Sequence, residues 1–507
     1  MTDFVHIALE PLGQVLEVQR GTPLQDVLFD YGVEFPCGGQ GTCRGCRVKL
    51  LRGSLAVTPE EEQILTPDEL SEGWRLACRG RADADLALEI EQWETVILGD
   101  NSTFEFTPRE GLGVAVDLGT TTLVTQLVDL ATGHVLGVRS AVNPQVVYGS
   151  DVMSRVQFSV KEGGARRLGE AIRGKTGELI GDLILHAAAT APVSEIVIVG
   201  NTVMHNLFCG IDVEPLSHVP FEPVRDGLEI CRASDLGWQP AGDAEVRFLP
   251  CLGGFVGSDI LGGVLATRMH ESDALIGLVD LGTNGEIICG NRERMACAST
   301  AAGPAFEAGR ISMGMRASTG AVTEVRVERG RLLCRVAGNV APRGICGSGL
   351  VDAVAVGLDL GVIAPSGRLM AAGGAWTVAH PVAITQADVR ELQLAKAAIA
   401  AGIRILLGRL GTSHSGVARL FLAGAFGNYV NRASASRIGL IDFPEEIVKP
   451  AGNTALLGAK LALFPTDAGD GDFVRIRQRI EHISLAAEPG FEDMYVEEMR
   501  FPGFSAG

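Results

Sequence analysis

One strand–turn–strand pattern occurs twice in this chain, and its two aspartates, Asp117 and Asp280, lie 163 residues apart. The segments VAVDLGTTTLVTQLVDL (114–130) and GLVDLGTNGEIICG (277–290) each read as a strand, an Asp-Leu-Gly-Thr turn and a second strand. A repeat at this distance is too long for a solenoid and predicts two related subdomains. Apolar β-rich runs alternate with helical stretches around both copies, which predicts an α/β fold.

The two turns carry the residue types that a phosphate-binding hairpin needs. Glycine lets the backbone approach a phosphate, hydroxyl and amide groups can donate to its oxygens, and a strand-end aspartate can hold Mg²⁺ through water. One such turn is also common in plain hairpins, so the prediction depends on the pair. The residues predicted to bind phosphate and magnesium are Asp117, Gly119, Thr120, Thr121 and Thr122 in the first copy, and Asp280, Gly282, Thr283 and Asn284 in the second.

Three further glycine motifs fit a nucleotide cleft between the two subdomains. GGFVGSDILGG (253–263) is predicted to open a helix that carries Asp259 toward the cleft. AGNTALLGAKLAL (451–463) is predicted to begin a helix of small residues that packs across the subdomain interface. FLAGAFGNYVN (421–431) ends an apolar strand in a turn suited to the sugar and base of a nucleotide, with Gly424, Gly427 and Asn428 as candidates.

A cluster of cysteines precedes the repeat. Cys37, Cys43 and Cys46 form a C-x5-C-x2-C pattern, and Cys78 follows after 31 intervening residues. Four thiolates are the ligand set of a 2Fe–2S cluster, and the glycines between them let backbone N–H groups turn toward the sulfurs. A four-cysteine zinc site usually has two C-x2-C pairs, whereas this chain has one, so the iron–sulfur reading is favoured.

The N-terminal block, residues 1–93, shows strand and helix signals around these cysteines. FVHIAL, QVLEVQ, CRVKLLRG, GWRLACRG and DLALEIE are predicted strands. Thr22 is predicted to cap a short helix that has Pro23 at its first position. Residues 94–112 are polar and without a clear period, which indicates a linker. The tail, residues 466–507, ends in aromatic residues that we expect to pack on the preceding domain.

Length and composition bound the remaining choices. The chain has 507 residues, and single cores rarely exceed about 250–300 residues, so two or more domains are expected. Neither a signal peptide nor a long apolar run is evident, so we expect a cytoplasmic protein whose 11 cysteines are thiols or ligands. The net charge of −18 argues against nucleic acid and membrane surfaces as partners.

The order of the glycine motifs resembles that of the ASKHA superfamily, which includes acetate and sugar kinases, heat-shock chaperones and actin. The resemblance implies a two-subdomain, actin-like ATPase over residues 113–465, divided at about 270, with ATP and Mg²⁺ between the subdomains. ASKHA enzymes often place a carboxylate near the cleft to activate water or a hydroxyl. Asp259 is the first candidate and Asp151, in NPQVVYGSDVMSR, the second; a helix cap is the alternative role for both.

Residues 3–92 resemble a β-grasp ferredoxin of the adrenodoxin-like variant. The whole chain resembles reductive activators of corrinoid proteins in the cysteine loop, VDLGTTT, NPQVVYGSDVMSR, VGNTVMHN, VDLGTNGE, STAAGPAFEAG, GICGSGLVD, FLAGAFGNYVN and GFEDMYVEEMRFP. This resemblance implies ATP-dependent, one-electron reduction of inactive Co(II) to Co(I) in a corrinoid protein of a methyltransferase system. An external electron donor would recharge the 2Fe–2S cluster, and a homodimer is compatible with the sequence. Ser299, Thr300 and Glu307 are predicted to face the corrinoid.

Three other functions remain open from the sequence. Activators of 2-hydroxyacyl-CoA dehydratases are also ASKHA proteins, but they resemble shorter chains that share one 4Fe–4S cluster between two subunits. A small-molecule kinase fused to a ferredoxin would need a sugar-specificity segment, which is not evident. A redox-sensing binding protein would use ATP only to change shape.

Overall fold

The computed structural model describes residues 4–10, 14–28, 31, 33, 41, 46–90, 106–149, 151–161, 163–187, 191–282, 284–315, 317, 320–337, 340–427, 430–464 and 471–503. The predictions for Cys37, Cys43, Thr283 and Asn428, and for most of the linker, lie outside these ranges.

The N-terminal unit is built on a five-stranded sheet with the order β2-β1-β7-β4-β5. Alternate residues of the first strand, Val5, Ile7 and Leu9, are at most 2% exposed, as expected for a half-buried strand. Its strands are β1 Phe4–Glu10, β2 Gln14–Gln19, β3 Thr22–Pro23, β4 Arg47–Arg52, β5 Trp74–Leu76, β6 Arg81–Ala82 and β7 Leu86–Ile90, and its helices are α1 Leu24–Leu28, α2 Pro59–Ile64 and α3 Pro67–Ser71.

The predicted start of the first helix is wrong. Thr22 and Pro23 form the short strand β3, paired with β6, and α1 begins only at Leu24. The Thr22 hydroxyl donates to Gln19 O (2.7 Å). The pairing joins segments almost 60 residues apart, so no local pattern could have indicated it.

Two six-stranded sheets follow, and their strand orders correspond. In the first sheet the order is β10-β9-β8-β11-β13-β12, and in the second it is β23-β22-β14-β15-β16-β24. In both, three antiparallel strands are followed by two parallel strands on the other side of the first one. The predicted duplication is therefore present in the backbone.

The first sheet and its helices comprise β8 Leu112–Leu118, β9 Thr122–Asp129, β10 Val135–Val142, β11 Val193–Val199, β12 Glu229–Arg232, β13 Glu245–Phe248, α4 Val152–Ser159, α5 Gly164–His186, α6 Thr202–Cys209 and α7 Ser258–Thr267. The rest of the chain comprises β14 Ile276–Leu281, β15 Gly285–Gly290, β16 Met295–Thr300, β17 Ala321–Glu328, β18 Arg331–Val336, β19 Gly344–Ile345, α8 Gly347–Asp359, β20 Ala375–Ala379, β21 Val382–Thr385, α9 Gln386–Arg409, β22 Arg419–Ala423, α10 Gly424–Gly427, α11 Arg432–Arg437, β23 Val448–Gly452, α12 Thr454–Leu461, α13 Gly471–Gln478, β24 Ile480–His482 and α14 Phe491–Glu498.

Helices α7 and α12 pack directly against each other between the two sheets. A Cβ atom on Gly458 would lie 2.1 Å from Gly262 Cα, so the two backbones are as close as glycine permits. Helix α12 follows β23, an edge strand of the second sheet, yet packs on β8 of the first sheet. The two helices thus form the junction that positions the cleft.

The C-terminal residues 471–503 pack on the second sheet and on helix α9. Strand β24 extends the second sheet beside β16, and α14 lies along α9. Phe501 is 2% exposed, and the buried Lys396 ammonium donates to Arg500 O (2.8 Å). Among the described residues, no helix combines the length and hydropathy needed to cross a bilayer.

Candidate functional site

A cavity of about 330 Å³ lies where the two repeated hairpins face each other. Both predicted aspartates and both turn glycines contribute to its wall, together with residues of α7 and of the segment that begins α12. The residues that line it are Asp117, Gly119, Thr120, Thr121, Asp151, Val152, Asn201, Asp259, Asp280, Gly282, Asn284, Glu286, Glu307, Gly424, Gly452, Asn453 and Ala455.

In each hairpin turn the glycine N–H donates to a backbone carbonyl of the same turn or of the residue that follows it. In the first turn (119–121), Gly119 N donates to Thr122 O (3.1 Å), and in the second (282–284), Gly282 N donates to Asn284 O (3.0 Å). A Cβ on Gly119 would lie 2.6 Å from Thr122 O, so a larger residue would open this turn. Both turns therefore keep the backbone next to the cavity.

Two asparagines connect helix N-termini to the cavity. The Asn201 side chain accepts from Met204 N (3.0 Å) and caps α6, while its Nδ2 donates to Thr120 Oγ1 (2.9 Å). Asn453 caps α12 in the same way, and its Nδ2 donates to Asp117 Oδ2 (2.8 Å). Each asparagine therefore fixes a helix and a predicted ligand-binding residue at once.

Asn143 supports the first turn from behind, and Arg155 holds the segment that follows Asn143. Asn143 N donates to Thr121 O (2.8 Å), and Asn143 Nδ2 donates to Gly119 O (2.9 Å). The buried Arg155 side chain donates to Gly149 O (2.9 Å) and to Gln145 Oε1 (3.1 Å). The start of the motif, at Asn143, thus backs the first turn.

Four carboxyl groups converge on the cavity, and burial makes each of them less acidic. Burial raises the pKa of Asp117 to about 6 despite the hydrogen bond from Asn453. Burial, and then the nearby charge of Asp117, raises the pKa of Asp280 to about 7. Burial raises the pKa of Asp259 to about 7, against a hydrogen bond from Ile260 N. Burial, and then the charges of Asp259 and Asp280, holds the pKa of Glu286 well above its usual value. Such a group binds a cation or a proton readily.

The described residues contain no set of three or more His, Cys, Asp or Glu side chains arranged to hold a metal ion. Asp117 and Asp280 can still hold Mg²⁺ through water, since this ion usually keeps several water ligands and takes others from phosphate. The carboxyl-rich wall fits such an ion, because a divalent cation would offset the repulsion among its charges.

The other predicted residues differ in their surroundings, and Asp151 both lines the cavity and caps a helix. Asp151 Oδ1 accepts from Ser154 N (2.9 Å) and caps α4, which is the alternative role that the sequence allowed. Gly424 lines the cavity beside Asp280, whereas Gly427 lines a second, smaller space, and Thr122 is exposed at the start of β9.

The three residues predicted to face the corrinoid are separated by the structure. Thr300 is 3% exposed and its hydroxyl donates to Gly285 O (3.2 Å), so it is not placed to contact a partner protein. Ser299 Oγ donates to Glu286 Oε1 (3.5 Å) and therefore points toward the cavity. Glu307 is exposed at the cavity wall. Burial of Thr300 follows from α9, whose Gly402 packs on its methyl group.

Sequence reasoning missed Glu286, Asn201 and Asn453 as site residues. A signal for the asparagines exists: the tripeptide Gly-Asn-Thr occurs at 200–202 and at 452–454, each time at the start of a helix. Glu286 lies in the repeated hairpin, but it reaches the cavity because it pairs with Asp280 in the sheet, and the sequence does not show this pairing.

Two of the four predicted cluster ligands lie in the described residues and on neighbouring segments. Ala77 N donates to Cys46 O (2.9 Å), which brings the start of β4 beside the short turn that carries Cys78. Cys46 is fully buried and Cys78 is half-buried. This arrangement fits a cluster held at the edge of the five-stranded sheet.

Comparison with known families divides the chain into three segments. Residues 7–83 match the family described as "2Fe-2S iron-sulfur cluster binding domain". Residues 112–272 match "RACo middle region", and residues 274–506 match "C-terminal domain of RACo the ASKHA domain". The middle region coincides with the first sheet and its helices.

Individual relatives extend over most of the chain. The "Corrinoid activation enzyme RamQ" of Eubacterium limosum is 34% identical over 444 residues, covering 80% of this chain and 74% of that protein. The "Co(II) methylated amine-specific corrinoid protein reductase" of Methanosarcina barkeri is 26% identical, covering 77% of each. A solved structure, "Reductive activator for corrinoid,iron-sulfur protein", superposes with a TM-score of 0.66 at 26% identity, covering 98% of both chains.

These matches confirm the predicted fold, an N-terminal 2Fe–2S ferredoxin domain followed by an ASKHA domain. They also confirm the resemblance on which the sequence analysis relied. The chain belongs to the family of reductive activators of corrinoid proteins.

Proposed function

We propose that this protein uses ATP to drive the one-electron reduction of inactive Co(II) to Co(I) in a corrinoid protein of a methyltransferase system. The observation that carries the proposal is the carboxyl-lined cavity between two duplicated hairpins, in a chain whose N-terminus belongs to the 2Fe–2S ferredoxin domains. The relatives support the corrinoid partner, since their names describe corrinoid activation and reduction. We place the reaction in the cytoplasm, where thiols stay reduced.

The cavity residues divide into three roles in this proposal. Asp117 and Asp280 would hold Mg²⁺, and the turns that follow them would hold the phosphates of ATP. Asn201 and Asn453 would keep the two turns and their helices in place. Asp259, at the start of α7, would orient the water that attacks the γ-phosphate.

The iron–sulfur domain supplies the electron. Cys37, Cys43, Cys46 and Cys78 would hold a 2Fe–2S cluster, which stores one electron received from an external donor. A potential gap of about 59 mV corresponds to about 1.4 kcal/mol for one electron, so a gap of a few hundred millivolts requires several kcal/mol. Binding and hydrolysis of ATP would provide this free energy by changing the angle between the two sheets.

Glu307, exposed at the cavity wall, remains our candidate for contact with the corrinoid partner.

The test combines the purified protein, a low-potential chemical reductant and a panel of purified Co(II) corrinoid proteins. We expect the absorption of Co(I) to appear with one of these partners only when Mg²⁺ and ATP are present. Hydrolysis of ATP should rise when that partner is added. Equal reduction with ADP in place of ATP would show that the nucleotide does not drive the electron. Phosphorylation of a small molecule, with no response to any corrinoid protein, would support a kinase instead.

A further inference from the structure

Glu286 occupies a position in the second hairpin that the first hairpin fills with an apolar residue. In the second hairpin, Asp280 of β14 pairs with Glu286 of β15. In the first, the equivalent Asp117 of β8 pairs with Val124 of β9. The two hairpins have the same topology, so the fold itself does not require an acid at this position.

The residue that pairs with this position on the neighbouring strand is serine in both sheets. Glu286 pairs with Ser299 of β16, and Val124 pairs with Ser140 of β10. The serine is therefore common to both sheets, and the carboxyl group is what the second sheet adds. Val124 is 6% exposed, as an ordinary core residue is. A carboxyl group placed there loses most of its hydration, which destabilises the protein. Its presence therefore indicates a function.

The surroundings of Glu286 and Asp259 differ, and they suit different catalytic roles. Asp259 Oδ1 accepts from Ile260 N (2.8 Å) at the N-terminus of α7, so the protein backbone stabilises the charged form of Asp259. Glu286 also lines the cavity, and the Ser299 hydroxyl lies 3.5 Å from its Oε1. Its own backbone N–H also donates to the Glu286 carboxylate, but a carboxylate has about four acceptor positions, so it keeps acceptor capacity for a water molecule.

We propose that Glu286 is a second catalytic carboxylate, which takes the proton from the water that attacks the γ-phosphate of ATP. The inference depends on the proposed ATP hydrolysis. In this step the water oxygen bonds to the γ-phosphorus, and the bond from that phosphorus to the bridging oxygen breaks. ADP leaves with the bond's electron pair, and one proton of the water passes to the Glu286 carboxylate. Asp259 orients the water, and Ser299 orients Glu286.

The experiment measures ATP hydrolysis in a single turnover and ATP binding at equilibrium, both with the full-length protein. For Glu286→Gln we expect hydrolysis to slow by about 10²–10⁴-fold, the usual contribution of general acid–base catalysis. The dissociation constant of ATP should change little, since the amide keeps the size of the side chain. Glu293→Gln, at the opposite end of the β15–β16 hairpin, is the matched control and should hydrolyse ATP at the wild-type rate.

A second variant separates catalysis from folding. Glu286→Val copies the first hairpin, so it should melt at or above the wild-type temperature and still fail to hydrolyse ATP. Hydrolysis at the wild-type rate in either variant would overturn the inference, as would loss of ATP binding in Glu286→Gln. A wild-type protein that hydrolyses no ATP, with or without a corrinoid partner, would instead overturn the proposed function and this inference with it.

Discussion

At the scale of single residues, the cavity concentrates negative charge where the protein gives it little solvation. Asp117, Asp259, Asp280 and Glu286 all line the same 330 Å³ space, and burial is the largest cause of the raised pKa of each. Without a cation, these groups can avoid repulsion only by binding protons. Their protonation is therefore coupled to folding.

This coupling predicts how the stability of the protein without nucleotide and metal depends on pH. The folded-state pKa values of Asp117 and Asp280 are about 6 and about 7, above the model-peptide value of about 3.9. Between these values the folded protein keeps protons that the unfolded chain has released, so the free energy of unfolding falls as pH rises from about 4 to about 7. We expect the melting temperature, measured in a chelator, to fall by at least about 2 °C from pH 5 to pH 8.

Asp117→Asn combined with Asp280→Asn provides the control for this pH dependence. Asparagine cannot titrate, so the double variant should lose a large part of the fall, and Mg²⁺ added to the wild-type protein should also reduce it. If the double variant shows the full wild-type slope, other groups cause the pH dependence.

At the scale of helices and strands, the cleft depends on how α7 and α12 cross between the sheets. Arg109 and Arg247 both pair with Glu195 of β11. Both also donate to carbonyl groups just beyond the end of α12, at Leu463 and Ala462. Cations at a helix C-terminus stabilise it, so these arginines fix α12 to the first sheet. The contact between Gly262 and Gly458 then sets the distance between the two helices.

Gly458→Ala tests this helix contact. The new methyl group would lie 2.1 Å from Gly262 Cα, so the backbones must separate. Overpacking of this kind costs about 1–3 kcal/mol, and we expect a lower melting temperature. Gly174→Ala in α5 is the matched control, because nothing lies within 4 Å of its Cβ position. Removing that glycine should stabilise the helix by about 0.5–1 kcal/mol. If Gly458→Ala and Gly174→Ala change the melting temperature equally, the contact between α7 and α12 does not set the distance between these helices.

The sequence predicts those elements whose signals are local. The two hairpins, the start of α7 before Asp259 and the small-residue helix α12 are recognisable because each is encoded within a short motif. Contacts made between distant segments are not. Glu286 enters the cavity through sheet register, and Asn453 reaches Asp117 from 336 positions away. The strand at Thr22 and the burial of Thr300 likewise depend on partners elsewhere in the chain.

At the scale of the whole molecule, the C-terminal residues connect the two sheets. Arg477 pairs with Asp226, which precedes β12 of the first sheet. The His482 ring packs on Gly253, where a Cβ would lie 2.6 Å from the ring. The same segment then continues along α9 on the other sheet. A change in the angle between the two sheets must therefore move the C-terminal segment or break its contacts with the first sheet or with α9.

The division of the chain into an iron–sulfur unit and a proposed ATP-binding unit predicts that the two activities can be separated. The cluster residues and the cavity residues stand on different sheets, and no cysteine lines the cavity among the described residues. Cys78→Ala should therefore lower the iron content below the wild-type value of about two per chain and abolish corrinoid reduction. Its basal ATP hydrolysis should stay near the wild-type rate.

Asp280→Asn should show the opposite pattern, with iron and the visible absorption of the cluster retained and ATP hydrolysis reduced about 10-fold or more. Iron content, absorption spectra and phosphate release measure these outcomes. If Cys78→Ala loses basal hydrolysis while it remains folded by circular dichroism, the cluster takes part in the ATPase cycle itself.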